Sequence, residues 1–182
     1  HPAFAKDANG NYLYHALTEV QTRNKHSPLD FATSGTRELV ADDYLYQIKR
    51  LAHPRVNSPI FGHISEYIVG LKGLSDALKA ENQRLLNAHE AAFGKADKGL
   101  PWIDLRKFPL AGVEVVDRHT YRVRLKGLYP QFAYWLAMPF FAPVPVEADR
   151  FYGQRGMNDG RNLTLDWWPI GTGPYMLTEN NP

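Results

Sequence analysis

Hydrophobic periodicity changes character near Trp102, and that change limits the fold more than any single motif does. Between Ala41 and Phe93 apolar residues recur at helical spacing, whereas beyond Trp102 they alternate or form β-branched runs. Helices followed by an antiparallel hairpin predict an α+β fold.

The first helix is expected from about Ala41 to Ala52, with Tyr44, Leu45, Ile48, Leu51 and Ala52 on its apolar face and His53-Pro54 ending it. Asp42 and Asp43 in its first turn suit the helix dipole. A second helix is expected with Ser58 as N-cap and Pro59 at the first helical position. It would carry Ile60, Ile64, Tyr67, Ile68 and Leu71 on one face and be interruptible at Gly62, Gly70 and Gly73. Leu74 to Phe93 reads as an amphipathic helix, and Gly94 to Pro101 as a polar linker.

The clearest hairpin pairs Val113-Glu114-Val115-Val116 with Tyr121 to Leu125 around Asp117 to Thr120. Pro130 can open a short aromatic helix through Leu136, after which Pro139, Pro143 and Pro145 predict an extended, rigid crossover over 139–146. A short helix near Glu147 to Tyr152 precedes a Gly-rich polar loop, Gly153 to Asn162. The loop leads to Trp168-Pro169-Ile170-Gly171-Thr172-Gly173-Pro174-Tyr175. There the glycines allow unusual backbone angles, and Tyr175-Met176-Leu177 reads as the start of a strand. Such a turn needs a sheet around it, so the chain is read as part of a larger protein.

Length and composition admit one globular domain with a core, or one plus a piece of another: 182 residues, 44% hydrophobic and 13% aromatic. Lys and Arg (21) are dispersed among Asp and Glu (19), so no basic stripe points to nucleic acid. Cysteine is absent, which removes disulfides, thiolate catalysis and Cys-based zinc sites. No run approaches the roughly 20 apolar residues that span a bilayer. The histidines, at 1, 15, 26, 53, 63, 89 and 119, show no i, i+4 pair, so no metal site is expected. Gly171-Thr172-Gly173 is followed by proline and not by a helix N-terminus, so no phosphate cradle and no nucleotide site is expected.

Asp42-Asp43 has a structural use at a helix start, and Ser34, Ser58, Ser65 and Ser75 lack a nucleophile elbow. Asn162-Leu163-Thr164 is a short sequon match best read as chance. What remains is aromatic surface: Tyr129 to Trp135, Phe140-Phe141, Trp167-Trp168 and Tyr175. These residues suit a binding cleft as well as a core.

Three segments in order resemble the extracellular solute-binding proteins of peptide ABC importers, family 5, the oligopeptide- and dipeptide-binding type. They are Thr36 to Tyr44, continuing through Ile48 to Pro54 and Ser58-Pro59; the hairpin Gly112 to Leu125 with the following prolines; and Pro169 to Tyr175. The chain departs at Val40, where the family usually has a capping threonine, a loss of roughly 1 kcal/mol that Asp42 and Asp43 partly offset.

The resemblance implies a type II periplasmic-binding-protein fold, of which this chain is mainly an inserted mixed helix and antiparallel-sheet subdomain. It implies a loop-rich entry segment at 1–35, the inserted α+β subdomain at 36–166, and a return strand into the first ligand-binding lobe at 167–182. It implies capture of oligopeptides in the periplasm for delivery to ABC permease subunits, with no catalysis and no cofactor, and with the remaining lobes of the same chain completing the site. It further implies that Phe61 and His63 approach the peptide and that Gly171, Thr172, Gly173 and Tyr175 lie near the inter-lobe mouth. The structural alternative is that Phe61 packs the helix base and His63 caps a turn. A ligand-sensing module of the same fold in a regulator, and a hydrolase using dispersed carboxylates, are the competing functions. Peptides, opines, metal chelates and glycans all stay open as ligands.

Overall fold

The computed structural model describes every residue except 96, 98, 100, 159–161, 181 and 182. Parts of the Gly94 to Pro101 linker and of the Gly153 to Asn162 loop therefore lie outside the described residues. The helices are α1 (Glu19–Thr22), α2 (Ala41–Arg50), α3 (Phe61–Tyr67), α4 (Leu71–Phe93), α5 (Phe132–Trp135) and α6 (Val146–Tyr152). The strands β1 (Val113–Asp117) and β2 (Thr120–Val123) form a two-stranded antiparallel sheet. The mixture is α+β, as the periodicity predicts. The chain divides into two compact units, 1–39 with 99–102 and 146–182, and 40–98 with 103–145.

The second unit is built around α2 and the hairpin. Val40 cannot cap α2 with its side chain, and the Asp43 carboxylate reaches back to accept the Val40 N–H at 3.0 Å. The Ala41 N–H donates to the carbonyl of Arg118 in the hairpin loop at 2.9 Å, so two N-terminal donors of the helix region find acceptors without the threonine. The hairpin register pairs Val113 with Val123 and Asp117 with Thr120, leaving Arg118-His119 as the loop. Asp117 accepts the His119 N–H at 2.8 Å, a side-chain turn that fixes the reversal. Tyr44 of α2 stacks on Tyr121 of β2, ring centroids 5.1 Å apart.

Three local expectations are corrected here. Ser58 does not cap a helix: its carbonyl accepts the Phe61 N–H at 3.0 Å, closing a turn around Pro59, and α3 begins only at Phe61. Among the described residues the Ser58 hydroxyl has no hydrogen-bond partner. The apolar face drawn from Ile60 to Leu71 is broken, because Ile68 is extended and bridges to Leu125, Val69 N–H donates to Arg124 O at 3.1 Å, and Gly70 sits at φ +80°. A left-handed glycine there lets α4 start at Leu71, before the expected Leu74. The crossover over 139–146 is not extended throughout, since Pro139–Phe141 forms a 3-10 turn that buries Phe141. Proline's fixed φ fits that turn as well as an extended chain.

Lys49 of α2 is 7% exposed, and its ammonium donates to Leu105 O at 3.3 Å. Burial lowers its pKa, only partly opposed by Asp104 and Asp42. A lysine whose folded pKa is depressed costs stability at neutral pH, and the cost is relieved as pH rises toward the ordinary lysine value. Lys49→Met should therefore raise stability at pH 7 by about 1–2 kcal/mol in urea unfolding. It should also remove the alkaline rise in stability that the wild type shows. Equal stability of the two proteins at every pH would contradict this account.

The first unit packs Phe31, Phe151, Met157, Leu163 and Trp168 into its core, with Tyr14, Leu17 and Trp167 at the margin. Tyr152, buried beside them, donates its hydroxyl to Trp168 O at 2.8 Å, and burial holds its phenol well above the usual pKa. The expected strand at Tyr175-Met176-Leu177 does not form: these residues carry no ladder among the described residues and are 90%, 66% and 43% exposed. An alternating segment without a neighbouring strand has nothing to pair with.

Candidate functional site

The site grows from α3. His63 and Tyr67 stand at i and i+4, the spacing that puts two side chains on one helix face, and their rings meet edge to face with centroids 5.3 Å apart. The chain after β2 is drawn against this helix by the Ile68–Leu125 bridge, by Lys126 N–H donating to Tyr67 O at 2.7 Å, and by Lys126 Nζ donating to Ser65 O at 3.3 Å. Gly127, at φ +81°, then reverses the backbone and delivers Tyr129 onto Tyr67 at 4.1 Å. Trp135 of α5 closes the group, 5.0 Å from His63, 5.7 Å from Tyr67 and 4.7 Å from Tyr129. Phe132 backs Trp135 and leads into buried Phe141.

This cluster is no ordinary core. His63 is exposed and Tyr67, Tyr129 and Trp135 are half-buried, while Leu128 and Tyr134 beside them are 94% and 75% exposed. Among the described residues the His63 ring nitrogens, the Tyr67 and Tyr129 hydroxyls and the Trp135 indole N–H hold no hydrogen bond. Rings packed rigidly on one another with their polar tips open can offer a ligand apolar area and hydrogen bonds at low entropic cost.

The sequence-derived site residues fall as follows. His63 joins the cluster, and Phe61, half-buried at the first position of α3, makes no ring contact among the described residues. Gly171, Thr172, Gly173 and Tyr175 belong to the other unit and are all exposed. Neither Gly171 nor Gly173 takes a positive φ, so the special backbone freedom expected of that turn is not used in this conformation. Tyr129 and Trp135 lie in the aromatic stretch that the sequence marks as suited to a cleft or a core, without a place at the ligand, and Tyr67 has no such mark. The i, i+4 spacing could have found Tyr67, whereas Tyr129 and Trp135 reach α3 through long-range pairing at Leu125 and Lys126.

Among the described residues no group of His, Asp and Glu could hold a metal ion, and no helix is long and apolar enough to cross a membrane.

Comparison with known proteins gives the context. Residues 33–182 match the family described as "Bacterial extracellular solute-binding proteins, family 5 Middle". The chain is similar to "Di/tripeptide-binding protein 2" of Pseudomonas aeruginosa, 25% identical over 175 residues, covering 94% of this chain and 31% of that protein. It is also similar to "Heme-binding protein A" of Haemophilus influenzae, 30% identical over 99 residues, covering 53% of this chain and 17% of that protein. The chain thus spans less than a third of the length of either relative. No solved structure matches it.

Proposed function

Because the chain belongs to the family 5 bacterial extracellular solute-binding proteins, we propose that it forms part of an exported, periplasmic protein that captures oligopeptides and delivers them to the permease of an ABC importer. Members of this family are binding proteins and not enzymes, and they bind their solutes for ABC permeases. The observation that carries the peptide reading is the surface around His63, where ring faces and unbonded polar tips lie together. A peptide offers main-chain donors and acceptors for such tips and side chains for such rings. The name of the Pseudomonas relative supports the same ligand class.

In this reading 36–166 is an α+β subdomain inserted into a type II periplasmic-binding-protein fold, and 167–182 returns to the first ligand-binding lobe, where a neighbouring strand would pair Tyr175-Met176-Leu177. Phe61 and His63 approach the peptide, and Gly171, Thr172, Gly173 and Tyr175 lie near the inter-lobe mouth. A second reading, haem as ligand, is favoured by one feature: an exposed, unbonded imidazole beside aromatic rings can ligate iron through a free nitrogen.

Native mass spectrometry of the full-length protein, purified under mild conditions, separates these readings. Co-purified masses matching short peptides are the expected result. A haem adduct that His63→Ala abolishes would replace the peptide reading, and ligands of a different class would end both.

A further inference from the structure

Granting the peptide-binding reading, we propose that the His63, Tyr67, Tyr129 and Trp135 cluster selects peptides carrying an aromatic side chain. Three observations lead there.

The ring centroids are 4.1–6.3 Å apart, so the cluster encloses no space for a guest and must offer its outer faces and edges. A planar ring suits such a surface, because offset stacking and edge-to-face contact add to simple burial. An aliphatic side chain of similar size gains only the burial.

Charge narrows the choice further. Glu66 is exposed on α3 between His63 and Tyr67 and forms no ion pair among the described residues. Its carboxylate and the electron-rich ring faces both disfavour an acidic side chain. Lys126 is held beside the same helix by Ser65 O, which disfavours a second ammonium and so sets an aromatic group above a lysine despite the attraction of ring faces for cations.

The polar tips complete the match. Phenol, indole and imidazole groups without hydrogen-bond partners among the described residues can bond the main chain of a peptide whose side chain lies on the rings.

The test is titration calorimetry of the full-length protein, freed of ligand, with trialanine and with tripeptides holding phenylalanine, leucine or lysine between two alanines. The phenylalanine peptide should bind about 3–10-fold more tightly than the leucine peptide, the margin that ring-to-ring contact supplies. In Trp135→Leu and in His63→Ala that ratio should fall to about 1, whatever happens to the trialanine affinity, on the same stacking argument. His63 lies on the exposed side, so its variant keeps the test valid should Trp135→Leu misfold. Equal binding of all four peptides, or tightest binding of the lysine peptide, overturns the selectivity while leaving peptide capture intact. A phenylalanine preference that survives both substitutions also overturns it. Binding of none of the four removes the peptide-binding reading, and this inference with it.

Discussion

Gly112→Ala should destabilise the protein by about 3 kcal/mol, far more than an ordinary glycine-to-alanine change. A Cβ at this position would stand 2.1 Å from the carbonyl oxygen of Val69, 2.8 Å from its carbonyl carbon and 2.9 Å from its nitrogen. All three are backbone atoms, so no flexible side chain can move aside. The backbone on both sides is also held: Val69 N–H donates to Arg124 O at 3.1 Å, and Gly112 O accepts from Arg124 N at 2.7 Å. Relief of the clash would pull apart the junction that sets the chain from Leu125 to Tyr129 against α3, and the aromatic cluster should loosen with it. Gly73, inside α4, is the control, because a Cβ there meets nothing within 4 Å and the position is helical. Gly73→Ala should stabilise by about 0.5–1 kcal/mol through backbone entropy and helix propensity. Urea unfolding of both variants decides the matter, and equal midpoints would refute the close approach at Gly112.

Arg37→Met should cost about 3–5 kcal/mol, because it strands a buried carboxylate. The Glu147 side chain is 9% exposed and is held by a two-pronged guanidinium contact, Arg37 Nε to Oε1 at 2.9 Å and Nη2 to Oε2 at 2.8 Å. Tyr12 adds its hydroxyl at 2.9 Å. Burial pushes the Glu147 carboxyl up, but hydrogen bonds and charge from Arg37 outweigh it and hold the group below the ordinary carboxylate range. A carboxylate depressed in the folded state contributes stability that is present above its unfolded value and lost as pH falls through its folded value. Arg37→Met should therefore erase part of the acid limb of the stability profile as well as lower the plateau. The double variant Arg37→Met, Glu147→Met should recover much of the loss, since no charge is then left without a partner. A single variant as stable as the wild type would mean that the ion pair adds nothing.

Much of the fold was legible because it rests on local periodicity. Ile48 and Leu51 face the core as their spacing requires, and Leu74 and Leu78 of α4 do the same. The hairpin was legible from β-branched runs around Asp117, whose side chain makes the turn it suggested. Long-range backbone pairing was not legible. The break at Ile68 to Gly70 arises because that segment bonds to Arg124 and Leu125, a contact that no helical wheel can encode.

The candidate site divides along the same line. Tyr67 follows from His63 by helix geometry, whereas Tyr129 and Trp135 arrive through that pairing and through the left-handed turn at Gly127. The alternating Tyr175-Met176-Leu177 segment shows the converse limit, since a strand pattern yields a strand only where another strand is present to bond it.

Hydrogen exchange of the full-length protein, with and without a bound tripeptide, tests the central claim that this chain supplies part of a solute-binding site built on the aromatic cluster. Binding should slow exchange across α3 and across 126–135, where the rings of His63, Tyr67, Tyr129 and Trp135 are carried. Tight peptide binding with exchange in α3 and 126–135 unchanged would place the ligand elsewhere and contradict the account.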